Sequence, residues 1–204
     1  MEKTVIYVHG KGGSAAEAQR YRAVFADCRV IGFDYTAQTP WEAEGEFQNY
    51  FDALSAGGAR VSVIANSIGA FFVMYALHAS PIERAYFISP IVDMEKLIGD
   101  MMQRAGVSED ELREKREIPA AYGETLSWDY LCAVRAHPIQ WTAPTSILYG
   151  EKDFLTPCET MSSFARRIGA SLTVMKNGEH WFHTPEQLTF LDEWIARESQ
   201  RCSH

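Results

Sequence analysis

The strongest constraint on this chain is the stretch Val61-Ser62-Val63-Ile64-Ala65-Asn66-Ser67-Ile68-Gly69-Ala70, a β-branched apolar run that ends in small-x-Ser-x-Gly and continues as a helix-like segment. It reads as a nucleophile elbow. A serine on so tight a strand-to-helix turn has strained backbone angles, so the residues two before and two after it must be small enough for the chain to pass. Ala65 and Gly69 meet that need, with alanine standing where glycine is commoner. Alone, the pentapeptide also fits a plain strand-helix junction.

A hydrolytic serine needs a base, an acid to orient the base, and donors for an oxyanion. The apolar run Thr145-Ser146-Ile147-Leu148-Tyr149 reads as a buried strand, and Gly150-Glu151-Lys152-Asp153 after it as a turn that delivers Asp153. Leu172-Thr173-Val174-Met175-Lys176 reads as another strand, and Asn177-Gly178-Glu179-His180 as a turn that delivers His180. The order along the chain is Ser67, Asp153, His180.

At the start, Thr4-Val5-Ile6-Tyr7-Val8 is a strand candidate that runs directly into His9-Gly10-Lys11-Gly12-Gly13-Ser14. Glycines here free backbone N–H groups to face an open space. The expected oxyanion donors are therefore Lys11 or Gly12 from this loop and Ile68 just after the serine. The loop can also be read as phosphate-binding, but it lacks dinucleotide glycine spacing and a Gly-Lys-Ser/Thr ending.

Taken together, strand-His9-Gly10, Ala65-x-Ser67-x-Gly69, Gly150-x-x-Asp153 and Gly178-x-His180 resemble a small α/β-hydrolase fold protein over essentially the whole chain. The resemblance implies an α/β three-layer sandwich, a Ser-His-Asp triad in that family's chain order, and no cofactor. The chain begins at the strand bearing His9, where many larger members carry further strands, so a minimal sheet of about six mainly parallel strands is implied. Substrate does not follow from the fold; esterases, lipases, thioesterases, peptidases and non-catalytic members share it.

Composition bounds the reading further. With 204 residues and 47% hydrophobic content, the whole chain, 1–204, is expected to be one domain with a sizeable core. A net charge of −8 without a basic run leaves no electrostatic footprint for nucleic acid or an anionic membrane; the partner that the resemblance implies is a small-molecule acyl substrate. Met1-Glu2-Lys3 leads straight into strand residues, and no apolar stretch reaches the roughly 18 residues of a membrane span, so a cytoplasmic location is the default expectation. Cys28, Cys132, Cys158 and Cys202 are scattered without a Cys-x-x-Cys pair, and His180 and His183 lack a carboxylate cluster, so neither disulfides nor a metal is expected.

A coarse pass predicts strand 4–8, helix 14–26, strand 29–33, helix 41–56, strand 61–65, helix 67–79, strand 84–88, an insertion, strand 145–149, helix 158–168, strand 171–176 and helix 185–198. This alternation predicts a parallel sheet with right-handed crossovers. Pro157 and Pro185 sit at helix starts, and Thr184 with Gln187 offers a capping box. For the insertion, about 90–144, the family resemblance implies a helical lid. Its charged run Ser108–Glu117 reads as a solvated helix face. Met94, Leu97, Met101, Trp128, Tyr130 and Leu131 stand both as lining of an apolar acyl or aromatic pocket and as core of the same helices.

The expected activity is serine hydrolysis of a small or medium carboxylic ester, thioester or amide through an acyl-enzyme. A non-catalytic ligand-binding protein on the same fold stays open, as does C–C bond hydrolysis or cofactor-free peroxidation. His183 competes with His180 as the base, and Asp93 with Asp153 as the acid. Asp34 also ends a strand but reads as a loop-shaping residue. His9 reads as a residue that fixes the oxyanion loop. Glu124 or Asp129 have the charge to hold a substrate ammonium, though no spacing requires it, and no long apolar stretch offers an interfacial lipase surface.

Overall fold

The computed structural model describes residues 3–120 and 123–201. In chain order the elements are β1 (Lys3–Val8), a 3₁₀ helix (Ala15–Tyr21), β2 (Arg29–Phe33), α1 (Pro40–Ala56), β3 (Arg60–Asn66), α2 (Ser67–Ala76) and β4 (Ile82–Ile88). There follow α3 (Met94–Ala105), α4 (Glu109–Lys115), β5 (Glu117–Pro119), β6 (Thr125–Ser127), α5 (Trp128–Ala136), β7 (Thr145–Gly150), α6 (Cys158–Ile168), β8 (Ser171–Met175) and α7 (Pro185–Gln200). Six strands form a parallel sheet in the order β2-β1-β3-β4-β7-β8.

The continuous apolar runs of β1 and β7 follow from burial on both faces, which a parallel sheet between helical layers imposes. Period-two alternation splits the side chains. Ile6, Val8, Val63, Ala65, Phe87, Ile147 and Tyr149 join the core under α1, α2 and α6. Val5, Tyr7, Ile64, Tyr86, Leu148 and Met175 join the core under the 3₁₀ helix and α7, where Trp194 is fully buried.

The sheet order reverses at β1. The chain leaves β1 toward β2 and then crosses back to β3 on the opposite flank. Crossovers in opposite directions leave a crevice beyond the carboxyl ends of β1 and β3, where open α/β sheets bind ligands. The loop His9–Ser14 and Ser67 both start there.

Three expectations are corrected. The helix predicted over 14–26 is a 3₁₀ helix, Ala15–Tyr21, followed by turns bonded Val24 to Tyr21 and Cys28 to Phe25. A Cβ on Gly32 would stand 1.9 Å from the Ala15 carbonyl oxygen, so β2 presses on the first turn. The tighter winding seats Ala18, Tyr21 and Phe25 in the core. In the insertion, α3, α4 and α5 are helical, but between them lies an unpredicted antiparallel hairpin, β5 with β6. Its strands are three residues each, too short for alternation to show in sequence. At α7, Thr184 Oγ1 accepts from the Gln187 N–H at 3.3 Å, but Gln187 Oε1 accepts from the His183 N–H at 3.1 Å, one residue outside the expected box.

Arg135 of α5 bridges Glu95 of α3 (2.8 Å) and Glu109 of α4 (2.7 Å), binding the insertion's helices together. Among the described residues no helix is long and apolar enough to cross a membrane.

Candidate active site

Ser67 is the first residue of α2 and has φ +48°, a left-handed conformation that is strained for a non-glycine residue. The strain is held by close packing. A Cβ on Gly69 would stand 2.2 Å from the His9 carbonyl oxygen, so only glycine lets α2 lie this close to the loop after β1. A Cβ on Gly10 would stand 3.2 Å from Ser67 Cβ, which places that loop directly against the serine. The Ser67 carbonyl accepts from the Ile91 N–H at 3.2 Å, tying the elbow to the segment that follows β4.

The loops after β7 and β8 are clamped to each other. Lys152 N–H donates to the Gly178 carbonyl at 2.7 Å and Glu151 N–H to that of Met175 at 3.0 Å. A Cβ on Gly150 would meet the Glu179 carbonyl oxygen at 2.4 Å, so this glycine too is required by close approach. The clamp brings Asp153 Oδ2 to 2.7 Å from His180 Nδ1, while His180 Nε2 stands 2.8 Å from Ser67 Oγ. Asp153 Oδ1 accepts from the N–H groups of Leu155 (2.8 Å) and Thr156 (3.1 Å), which fixes the carboxylate. The Asp153 side chain is fully buried and that of His180 is 11% exposed. A carboxylate at Nδ1 places the ring proton there and leaves Nε2 to accept from the serine hydroxyl. Tyr149 steadies the same loop: its hydroxyl donates to the Thr156 carbonyl at 2.7 Å, and burial pushes its phenol up to about 12.

In the loop after β1, Gly13 N–H donates to the Gly10 carbonyl at 3.1 Å, with Lys11 and Gly12 at the tip and Gly12 at φ +76°. Among the described residues, the N–H groups of Lys11, Gly12 and Ile68 donate to no protein acceptor. His9 lies outside the relay: its ring stacks on Tyr35 at 4.4 Å, its Nδ1 stands 2.9 Å from the Gly10 carbonyl oxygen, and the Tyr35 hydroxyl donates to the His9 carbonyl at 2.8 Å.

One part of the site was not foreseen from sequence. Asn66 Nδ2 donates to the Tyr7 hydroxyl at 2.9 Å, and that hydroxyl donates to the Glu17 carboxylate. The other Glu17 oxygen accepts from the Ser14 N–H at 3.1 Å. The elbow and the loop after β1 are thus joined through Tyr7, whose phenol burial drives upward. The only sequence signal was Ser14-x-x-Glu17, a capping-box pattern.

The competing residues are placed elsewhere. His183 is exposed, with Nδ1 2.7 Å from the Trp181 carbonyl oxygen and 3.6 Å from Glu179. Asp93 caps α3 by accepting from the Lys96 N–H at 2.9 Å. Asp34 is exposed. Cys158 is exposed at the start of α6, and Cys202 lies outside the described residues. Glu124 pairs with Lys11 and Asp129 with Arg116. Met94 and Leu131 are buried in the main core, and Leu97, Met101, Trp128 and Tyr130 pack against it, with Trp41 and Tyr130 in edge contact at 6.2 Å. A surface groove of about 560 Å³ on the insertion, lined by Asp93, Lys96, Asp100, Glu109, Leu131 and Arg135, includes none of Ser67, Asp153 and His180.

No family model matches this sequence. No curated protein matches it either. Solved structures do match. Est1E from Butyrivibrio proteoclasticus is 17% identical, with a TM-score of 0.74 over 98% of this chain and 87% of that one. The mouse alpha/beta hydrolase domain-containing protein 10 is 17% identical, with a TM-score of 0.76 over 98% and 90%. A monoacylglycerol lipase from Paleococcus ferrophilus is 17% identical, with a TM-score of 0.63 over 95% and 94%. With its six-stranded parallel sheet, its reversal at β1 and these near-complete overlaps, the chain has the α/β-hydrolase fold.

Proposed function

We propose that this protein is a serine hydrolase that cleaves a small or medium carboxylic ester, thioester or amide through an acyl-enzyme on Ser67. The observation that carries the reading is the unbroken relay of Ser67 Oγ, His180 and Asp153, with contacts of 2.8 and 2.7 Å, built on a strained serine. Solved neighbours titled as a lipase and an alpha/beta hydrolase domain protein support hydrolysis as the reaction class.

In this mechanism His180 Nε2 takes the Ser67 proton as Oγ attacks the substrate carbonyl carbon. Asp153 holds the imidazole in the required tautomer and stabilises its cation. The N–H groups of Ile68 and of Lys11 or Gly12 donate to the oxyanion. His180 then protonates the leaving atom, the bond from that atom to the carbonyl carbon breaks, and water repeats the sequence on the acyl-enzyme.

The test is intact-mass detection of a fluorophosphonate adduct on wild type, Ser67→Ala and His180→Ala. One adduct on wild type, lost in both variants, is expected. Turnover of an ester should fall about 10⁶-fold in Ser67→Ala, the scale seen when a triad serine is removed. A folded wild type that takes no adduct overturns the reading and favours a non-catalytic binding protein.

A further inference from the structure

Phe154 and Trp181 are 71% and 74% exposed, the most exposed large apolar side chains among the described residues. Each directly follows a member of the relay, Phe154 after Asp153 and Trp181 after His180, and the Trp181 ring lies against the exposed His183 ring at 5.3 Å. The Phe154 ring meets the His180 ring edge-on at 6.2 Å. An aromatic side chain left in water beside a reactive histidine contributes nothing to the core, and it offers a ligand a large apolar face.

Along the sheet, the loop after β1 and the loop after β3 lie on one side of the site, and the loops after β7 and β8 on the other. The oxyanion donors Lys11 and Gly12 belong to the first side, and Phe154 and Trp181 to the second. Under the mechanism above, the leaving atom must come within hydrogen-bond reach of His180 Nε2, because that nitrogen returns the proton. Whatever the leaving atom carries therefore extends past His180, toward the β7 and β8 loops.

Resting on the serine-hydrolase reading, we propose that Phe154 and Trp181 form an open subsite for the leaving group, and that the preferred substrates are esters of alcohols bearing an aromatic or comparably bulky apolar group. The acyl part then lies away from these rings. The rings act in acylation, while the departing alcohol is still attached, and have no partner once it has left.

The experiment compares kcat/KM for ethyl butyrate and 2-phenylethyl butyrate, whose alcohols are of similar acidity, and for ethyl butyrate and ethyl 4-phenylbutyrate, which differ on the acyl side. Wild type, Phe154→Ala, Trp181→Ala, the double variant and the control Val174→Ala are assayed, each checked for folding by thermal unfolding. Wild type should prefer 2-phenylethyl over ethyl butyrate by about tenfold, the scale of covering one aromatic group. The double variant should bring that ratio close to one while the acyl-side ratio stays as in wild type. Val174→Ala, a change to an exposed apolar residue of β8, should leave both ratios unchanged. Failure to cleave the 2-phenylethyl ester overturns the inference. So does an equal rate for the two alcohols, a preference that survives in the double variant, one that follows the acyl pair, or one seen only with ester dispersed in micelles. If Ser67 takes a fluorophosphonate and ethyl butyrate is cleaved without the preference, the subsite alone fails; if neither occurs, the serine-hydrolase reading fails with it.

Discussion

Lys11 Nζ stands 2.5 Å from Glu124 Oε1, so the tip of the loop after β1 is pinned by its side chain to the insertion just before β6. The two side chains are 64% and 41% exposed, and exposed ion pairs stabilise by only about 0.2–1 kcal/mol. Glu124→Gln should therefore lower stability in urea by no more than that. The difference should vanish toward 1 M salt, where the screening length falls to about 3 Å.

Gly69 has no room for a side chain beneath it. In Gly69→Ala the new Cβ would stand 2.2 Å from the His9 carbonyl oxygen, and α2 must move off the loop. Overpacking of this kind costs about 1–3 kcal/mol. Displacing the serine from its relay by about 1 Å costs on the order of 10²-fold in rate. Urea unfolding and the rate of fluorophosphonate labelling of the folded variant measure the two effects separately.

Tyr7 is the joint between the elbow and the loop after β1. Tyr7→Phe leaves Asn66 Nδ2 without its acceptor in a side chain whose Oδ1 already has no protein partner. A fully buried donor left unpaired costs about 1–3 kcal/mol, and this half-buried one should cost no more than the lower end of that range. Glu17→Gln, which keeps an acceptor oxygen, should cost less. Equal losses in the two variants would show that the Glu17 charge, not the Tyr7 hydroxyl, carries the link.

Glu42 caps α1 by accepting from the Gln38 and Thr39 N–H groups at 2.9 and 3.1 Å, and those bonds hold its carboxyl below its ordinary value of 4.5. Because the folded value is depressed, the charged cap stabilises fully above the unfolded value. That contribution is lost as pH falls through the lower, folded one. The stability gap between wild type and Glu42→Gln should be constant near neutrality and close below pH 4.5. A gap that widens on acidification would contradict this.

Much of the architecture was legible because the relevant signals are local. The apolar runs of β1, β3 and β7 stand out because strands buried on both faces have few polar positions, and Ala65 and Gly69 mark the elbow because the backbone itself needs the space. The 3₁₀ winding before β2 was hidden, since β2 packing against Ala15 sets it from outside the segment. The hairpin of β5 and β6 left no period to read.

By itself, then, the sequence determined the order of the six sheet strands and of the long helices between them, the turns that end in Ser67, Asp153 and His180, and the glycines those turns demand, all properties of neighbours along the chain. Only the tertiary structure decided that His180 rather than His183 reaches Ser67, that Asp153 rather than Asp93 faces its ring, and that Tyr7 and Glu17 join the elbow to its neighbouring loop. The physical reason is that hydrogen bonds act over about 3 Å, whereas residues 67 and 180 meet only when parallel pairing and the clamp between the β7 and β8 loops bring their strand ends together.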